Sequence, residues 1–142
     1  MVYTAASFSG IGIIRQEKSG SIEAEQRGGK IIIYDRFFNL PSDGMLHVLL
    51  HELGHWFRES SVPINDIVGW EKGEGFFIDI QGSYTNFEEG FAEAFATYID
   101  DPSWLRSKYP VQFEKLKKLV GASSVSKAKN WAKQVIEDFK DE

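Results

Sequence analysis

His51-Glu52-Leu53-Gly54-His55 has the residue types and spacing of a metal site that brings its own base. Two histidines four residues apart stand one above the other on a helix, so both imidazoles reach a single ion. Glu52, between them, points to the side where a water on that ion would lie, the position of a general base in zinc hydrolysis. All three histidines of the chain, His47, His51 and His55, fall in this stretch. H-E-x-x-H also arises by chance, so the residues around it must decide.

The helix that carries the motif is legible on both sides. Pro41-Ser42-Asp43 predicts a helix start with Ser42 as N-cap. Leu46, Leu49, Leu50, Leu53 and Phe57 recur at helical spacing and form one apolar face. At about 100° per residue, His51 and His55 lie on the far side from that stripe, with Glu52 beside them. His47 lies one turn before His51, on the flank of the stripe. Three residues stacked along a helix spread over two turns, too far to converge on one ion. His47 is therefore expected to pack, or to support a ligand from behind.

A structural zinc site is closed by four protein ligands, commonly including cysteines, whereas a catalytic one has three and an open position. The chain has no cysteine, so the third ligand is expected to be a carboxylate. The segment from Thr85 to Phe95 supplies candidates on a second helix, capped by Thr85 or Asn86 and closed by Asp100-Asp101-Pro102. Phe87, Phe91, Phe95 and Tyr98 line one face. Glu89 and Glu93 share the opposite face, and Glu88 is turned about 100° from Glu89. This geometry favours Glu89 as the ligand and Glu93 as the carboxylate that orients a ligand histidine through its other ring nitrogen. Taken alone, the same glutamates read as the solvated face of an amphipathic helix. After H-E-x-x-H, in a chain without another third ligand, they do not.

His51-Glu52-Leu53-Gly54-His55 followed by Glu89-Gly90-Phe91-Ala92-Glu93-Ala94-Phe95 resembles the gluzincin zinc metallopeptidases, in particular the anthrax lethal factor catalytic domain and its relatives. The bacterial Pro-Pro endopeptidases are similar in the same way. The resemblance covers roughly residues 30–120 and is strongest in the two helices. It implies an α+β fold: a minimal zincin domain with a small N-terminal β-sheet, an active-site helix, a glutamate helix and C-terminal helices. Ser83-Tyr84 before Thr85-Asn86 resembles the run ahead of the glutamate helix in lethal factor, where a tyrosine faces the active site. Here that run is shorter. The resemblance implies Tyr84 as the donor to the tetrahedral oxyanion, while Tyr98 and Tyr109 read as packing residues.

Composition agrees with a compact enzyme. A chain of 142 residues suits a single domain spanning 1–142, with residues 122–142 as an additional C-terminal helix. A hydrophobic fraction of 42% argues against disorder, and a net charge of −5 offers no electrostatic footprint for nucleic acid. No apolar run approaches the length of a membrane span, and Met1-Val2-Tyr3-Thr4 does not open a leader with a charged region and an apolar run. The expectation is a cytoplasmic protein, or a secreted one if a leader has been removed. Its expected partners are one zinc per chain and a peptide or protein substrate, without nucleic acid or membrane, in a monomer.

The chain path reads as β then α. Ile11 to Ile14 and Ser21 to Gln26 predict strands, and Gly28-Gly29 predicts a tight hairpin into Lys30-Ile31-Ile32-Ile33-Tyr34. Zincins place the edge of such a sheet above the active-site helix, where an extended substrate can add as another strand. The glycine-punctuated stretch from Ser60 to Ser83 holds Trp70, Phe76 and Phe77, which would line a specificity pocket or join the core. Pro110 opens a helix with Phe113, Leu116 and Val120 that Gly121 ends. Ser123 or Ser124 caps a last helix, to Lys140, with Val125, Ala128, Trp131, Ala132, Val135 and Phe139 on one side. That side is expected to pack against Phe113 and Leu116; the alternative is a lid over a substrate groove.

The expected chemistry follows. Zinc held by His51, His55 and Glu89 would lower the pKa of its water toward about 7 and polarise a scissile carbonyl. Glu52 would take the proton and return it to the leaving amine. The sequence thus points to a zinc endopeptidase. A cytoplasmic regulatory protease that cuts a repressor-type protein, and a non-catalytic or latent zinc-binding module, are the alternatives. A DNA-linked protease with a third histidine ligand and a deformylase with a cysteine ligand are excluded by the absence of those residues.

Overall fold

Gly28 and Gly29, at φ 57° and 79°, supply the two left-handed positions that a two-residue hairpin turn requires. They join β2 (Ala24–Arg27) to β3 (Lys30–Tyr34) antiparallel, with Ala24 opposite Ile33 and Arg27 opposite Lys30. β1 (Gly12–Gln16) runs parallel to β3 on its other side, so the sheet order is β1-β3-β2. The central place of β3 accounts for its unbroken apolar run: Ile31, Ile32, Ile33 and Tyr34 are all buried. Among the described strands β2 is an edge. The structure is a computed structural model that describes residues 11–17, 22–63, 66, 78–79, 82–83 and 87–141.

After a 3-10 turn at Asp35–Asn39, α1 (Ser42–Ser61) buries Leu46, Leu49, Leu50, Leu53 and Phe57, the stripe expected from spacing. Its start differs from expectation. Ser42 is already helical and Pro41 is the cap, because the Pro41 carbonyl accepts the first intrahelical bond, from the Met45 N–H at 2.9 Å. Asp43 takes the Gly44 N–H at 3.0 Å and supplies the anion that favours a helix N-terminus. β4 (Ile78–Asp79) and β5 (Gly82–Ser83) form a separate antiparallel pair.

α2 (Phe87–Asp100) ends where Asp101 caps α3 (Pro102–Lys108), its carboxylate accepting the Trp104 N–H at 3.2 Å. α4 (Pro110–Val120) stops at Gly121, whose φ of 83° only glycine adopts without strain. α5 (Ser123–Phe139) follows at once. Ala122 is its cap and Ser124 is buried in its first turn, so the expected serine cap is not formed. The Gly121 carbonyl instead accepts the Ser124 N–H at 3.3 Å and carries the chain directly from one helix into the next.

α1 and α2 form the principal helix contact, and small residues set its closeness. A Cβ on Gly54 would lie 3.0 Å from both the Cα and the carbonyl oxygen of Ala92, itself fully buried. Phe57 and Phe95 meet beside it with ring centroids 5.3 Å apart. α5 also differs from its expected place: its main neighbours are α1 and α2, not α4. Ala128 and Ala132 are buried in that contact region and admit the close approach, while Leu116 and Val120 reach the same core from α4. Arg15 fastens the far end of α5, donating to the Phe139 carbonyl and to Asp35 at 2.8 Å, with its guanidinium 4.1 Å from the Phe38 ring centre. The result is an α+β fold with a small mixed sheet and a helical layer. No helix among the described residues is long and apolar enough to cross a membrane.

Candidate metal centre

The close α1–α2 packing decides what faces what across it. His51 and His55 project from α1 toward Glu89 on α2, and His51 Nε2 lies 2.9 Å from one Glu89 oxygen. His55 Nε2 lies 3.0 Å from the other. One ligand atom from each of the three residues falls within 4.8 Å of the others. Tetrahedral zinc with bonds of about 2.1 Å spaces its ligands about 3.4 Å apart, so ligand atoms grouped this closely could share one ion.

Glu93, one turn after Glu89, bridges two histidines. Its Oε2 stands 3.0 Å from His51 Nδ1, and its Oε1 bonds His47 Nε2. The Nδ1 contact has a chemical consequence. A neutral His51 that donates from Nδ1 to Glu93 leaves its Nε2 lone pair facing Glu89 and His55, the tautomer a metal requires. The donor set therefore fits a divalent ion that accepts imidazole and carboxylate. Among the described residues it has three members, the count of an open site rather than a closed one.

The charges are arranged to match. Burial opposes a charge on His51, but the carboxylates of Glu89 and Glu93 outweigh it and hold the pKa up at about 10. Hydrogen bonds from His51 and His55 hold Glu89 well below the carboxylate range. For Glu93, burial raises the pKa, and the bonds from His47 and His51 more than reverse this, to about 2.

Glu52 does not belong to this cluster. Burial pushes its carboxyl above the ordinary range, against the pull of His51 and His55, and the Gln26 backbone N–H donates to it. That donor comes from the side of β2 that pairs with no other described strand. The Tyr34 N–H to Glu23 carbonyl bond of 2.9 Å sets a register in which Glu23 and Glu25 bond to β3, so Ala24 and Gln26 turn their backbone groups outward. The cleft between this edge and the helices has a volume of about 580 Å³, and Ala24, Gln26, His51, Glu52, His55 and Glu89 are among its walls.

Of the residues singled out in the sequence, His51, His55, Glu89 and Glu93 come together, with Glu52 at the cleft wall. His47 reaches Glu93 through its Nε2. Tyr84 lies outside the described residues, as do Thr85, Asn86, Trp70, Phe76 and Phe77. Tyr98 is buried with its ring 5.7 Å from that of Phe113, and Tyr109 packs 6.0 Å from Trp104. Sequence reading missed Gln26 and Arg58. Arg58 lines the cleft and binds Glu88 at 3.2 Å. Its place was legible, since a residue three after His55 shares that helix face. Gln26 gave no signal, because its contribution is a backbone group selected by strand register.

Comparisons with protein-family models, with curated proteins and with solved structures return no match to this chain.

Proposed function

We propose that this protein is a zinc-dependent endopeptidase of the gluzincin type, with His51, His55 and Glu89 as metal ligands. The observation that carries the reading is the convergence of two imidazole Nε2 atoms on one carboxylate, beside a half-buried glutamate that is outside the cluster. Zinc in such a site acts as a Lewis acid and brings the pKa of its water toward about 7.

The chain's own residues do the rest. Glu52, with its pKa raised by burial, accepts a proton from the attacking water and delivers it to the leaving amine. Glu93 keeps His51 in the metal-binding tautomer through Nδ1. The outward backbone groups of Ala24 and Gln26 align an extended substrate, and as it docks, the Gln26 N–H passes from Glu52 to a substrate carbonyl. Tyr84 is assigned to the oxyanion by the family resemblance. Two of the described tyrosines are engaged elsewhere: Tyr34 donates to Glu25, and Tyr98 is core.

The test is a peptide library presented to the zinc-loaded protein. Cleavage at internal bonds is expected, to be abolished by a chelator and restored by zinc. A zinc-loaded protein that cuts nothing in a diverse library would instead favour the non-catalytic reading.

A further inference from the structure

Glu93 is only 15% exposed, and each of its oxygens has a histidine partner from the same helix, His47 one turn before His51. A carboxylate held at one oxygen swings about its terminal torsion, which has a broad energy profile. Held at both, its plane is fixed, and so is the line along which His51 Nδ1 must point. The polar contacts do not stop at His47. Its other ring nitrogen faces Asp100 Oδ2 at 3.8 Å, an electrostatic contact rather than a hydrogen bond. Asp100 in turn is met by Lys129 from α5, whose Nζ lies 3.5 Å from Oδ1 and donates to the Asp100 carbonyl at 3.0 Å. Cation, anion, imidazole and anion thus alternate in one line from the last helix to His51.

We infer that His47, Asp100 and Lys129 are positioning residues that fix Glu93 and, through it, the orientation of His51 toward the metal. The chain gives α5 a part in the site although no α5 residue is among the described walls of the cleft. A plainer role is available to each member: Lys129 closes the C-terminal end of α2, and His47 fills a half-exposed flank of α1. Those roles would affect the stability of the fold and leave the geometry at His51 alone. The inference rests on the metal-site reading proposed above.

The experiment is competition between a chelator of known zinc affinity and the purified full chain, for wild type, His47→Ala, His47→Gln, Asp100→Asn, Lys129→Met, Glu93→Gln and the double variant His47→Ala/Glu93→Gln. Losing the partner of a metal-orienting group typically weakens affinity about 10–100-fold, and His47→Ala is expected in the lower part of that range. His47→Gln, whose amide reaches the place of Nε2 and still donates to Glu93, is expected to recover most of the loss. Asp100→Asn and Lys129→Met should show smaller losses in that order. The double variant should bind no more weakly than Glu93→Gln alone, because both changes break one linkage. The visible absorption of the cobalt-substituted protein should shift in His47→Ala and return in His47→Gln.

Wild-type affinity and spectrum in His47→Ala, or a loss fully additive with that of Glu93→Gln, would overturn the inference while the metal site stands. Absence of zinc binding by wild type would overturn the metal site itself. If His47→Ala does not fold, Asp100→Asn decides: unchanged affinity there refutes the chain.

Discussion

Glu89 and Glu93 stand one turn apart on the same helix, and what distinguishes them is which histidine nitrogens they meet. Glu89 faces the Nε2 atoms of both His51 and His55, whereas Glu93 faces the Nδ1 of His51 and the Nε2 of His47. Glu89→Ala is therefore expected to remove bound zinc, and Glu93→Gln to weaken it about 10–100-fold, as measured by metal analysis and chelator competition. Zinc lost from Glu93→Ala but kept by Glu89→Ala would reverse the assignment. The titration of the same groups sets a second expectation, for the metal-free protein. His51 is raised from 6.5 to about 10, so its stabilising contribution is complete below 6.5 and is lost as pH rises toward 10. Glu93 is lowered from 4.5 to about 2, so its contribution is complete above 4.5 and is lost as pH falls toward 2. Thermal melting without metal should show highest stability between these limits, from 4.5 to 6.5. Zinc bound at His51 would displace its proton, so the rise in Tm on adding zinc should grow as pH rises from 6.5 toward about 10. A zinc-induced shift that shrinks over that interval would argue against imidazole ligation. His51, His55, Glu89 and Glu93 were legible because helical spacing fixes which residues share a face. Asp100, seven residues after Glu93, lies on the same face by that rule, but in the sequence it reads only as closing the helix. Lys129 was not legible, because its place depends on how α5 packs.

The elements matter chiefly through the distance between α1 and α2. Gly54 lies inside the motif, and its lack of a side chain serves the packing: a methyl there meets the backbone of Ala92, which cannot rotate aside. Gly54→Ala gains about 1 kcal/mol of helix propensity. Overpacking against backbone costs about 1–3 kcal/mol, so a net destabilisation is expected, to be read by denaturant unfolding. More telling, the same change should push Glu89 away from His51 and His55 and weaken zinc more than it weakens the fold. Full zinc affinity in Gly54→Ala would contradict a close-packed origin for the site. Both helices and their buried stripes were legible from periodicity, as was the hairpin from its glycine pair. The cap of α1 was misread, since Pro41 offered a carbonyl one residue earlier than the serine hydroxyl could act. The strand order was hidden for a different reason. Ile-Ile-Ile-Tyr in β3 announces a buried strand, and nothing in local pattern says that β1 lies parallel beside it.

At the scale of the whole molecule, α5 closes the core behind the site, with Ala128, Ala132 and Val135 buried. Removing the residues after Gly121 would uncover α1 and α2 together and take Lys129 from Asp100. Loss of cooperative folding is expected, seen as a broadened or absent thermal transition. A folded truncated protein with raised activity would mean that α5 acts as a lid. The central claim, that zinc and Glu52 together hydrolyse peptide bonds, is tested most directly by one comparison. Wild type and Glu52→Gln, each shown by metal analysis to carry one zinc, are assayed side by side on a peptide that wild type cleaves. Glu52 moves protons and binds no metal in this account, so Glu52→Gln should keep its zinc and its melting profile while cleavage falls by about 10²–10⁴-fold. Undiminished cleavage by zinc-loaded Glu52→Gln would contradict it.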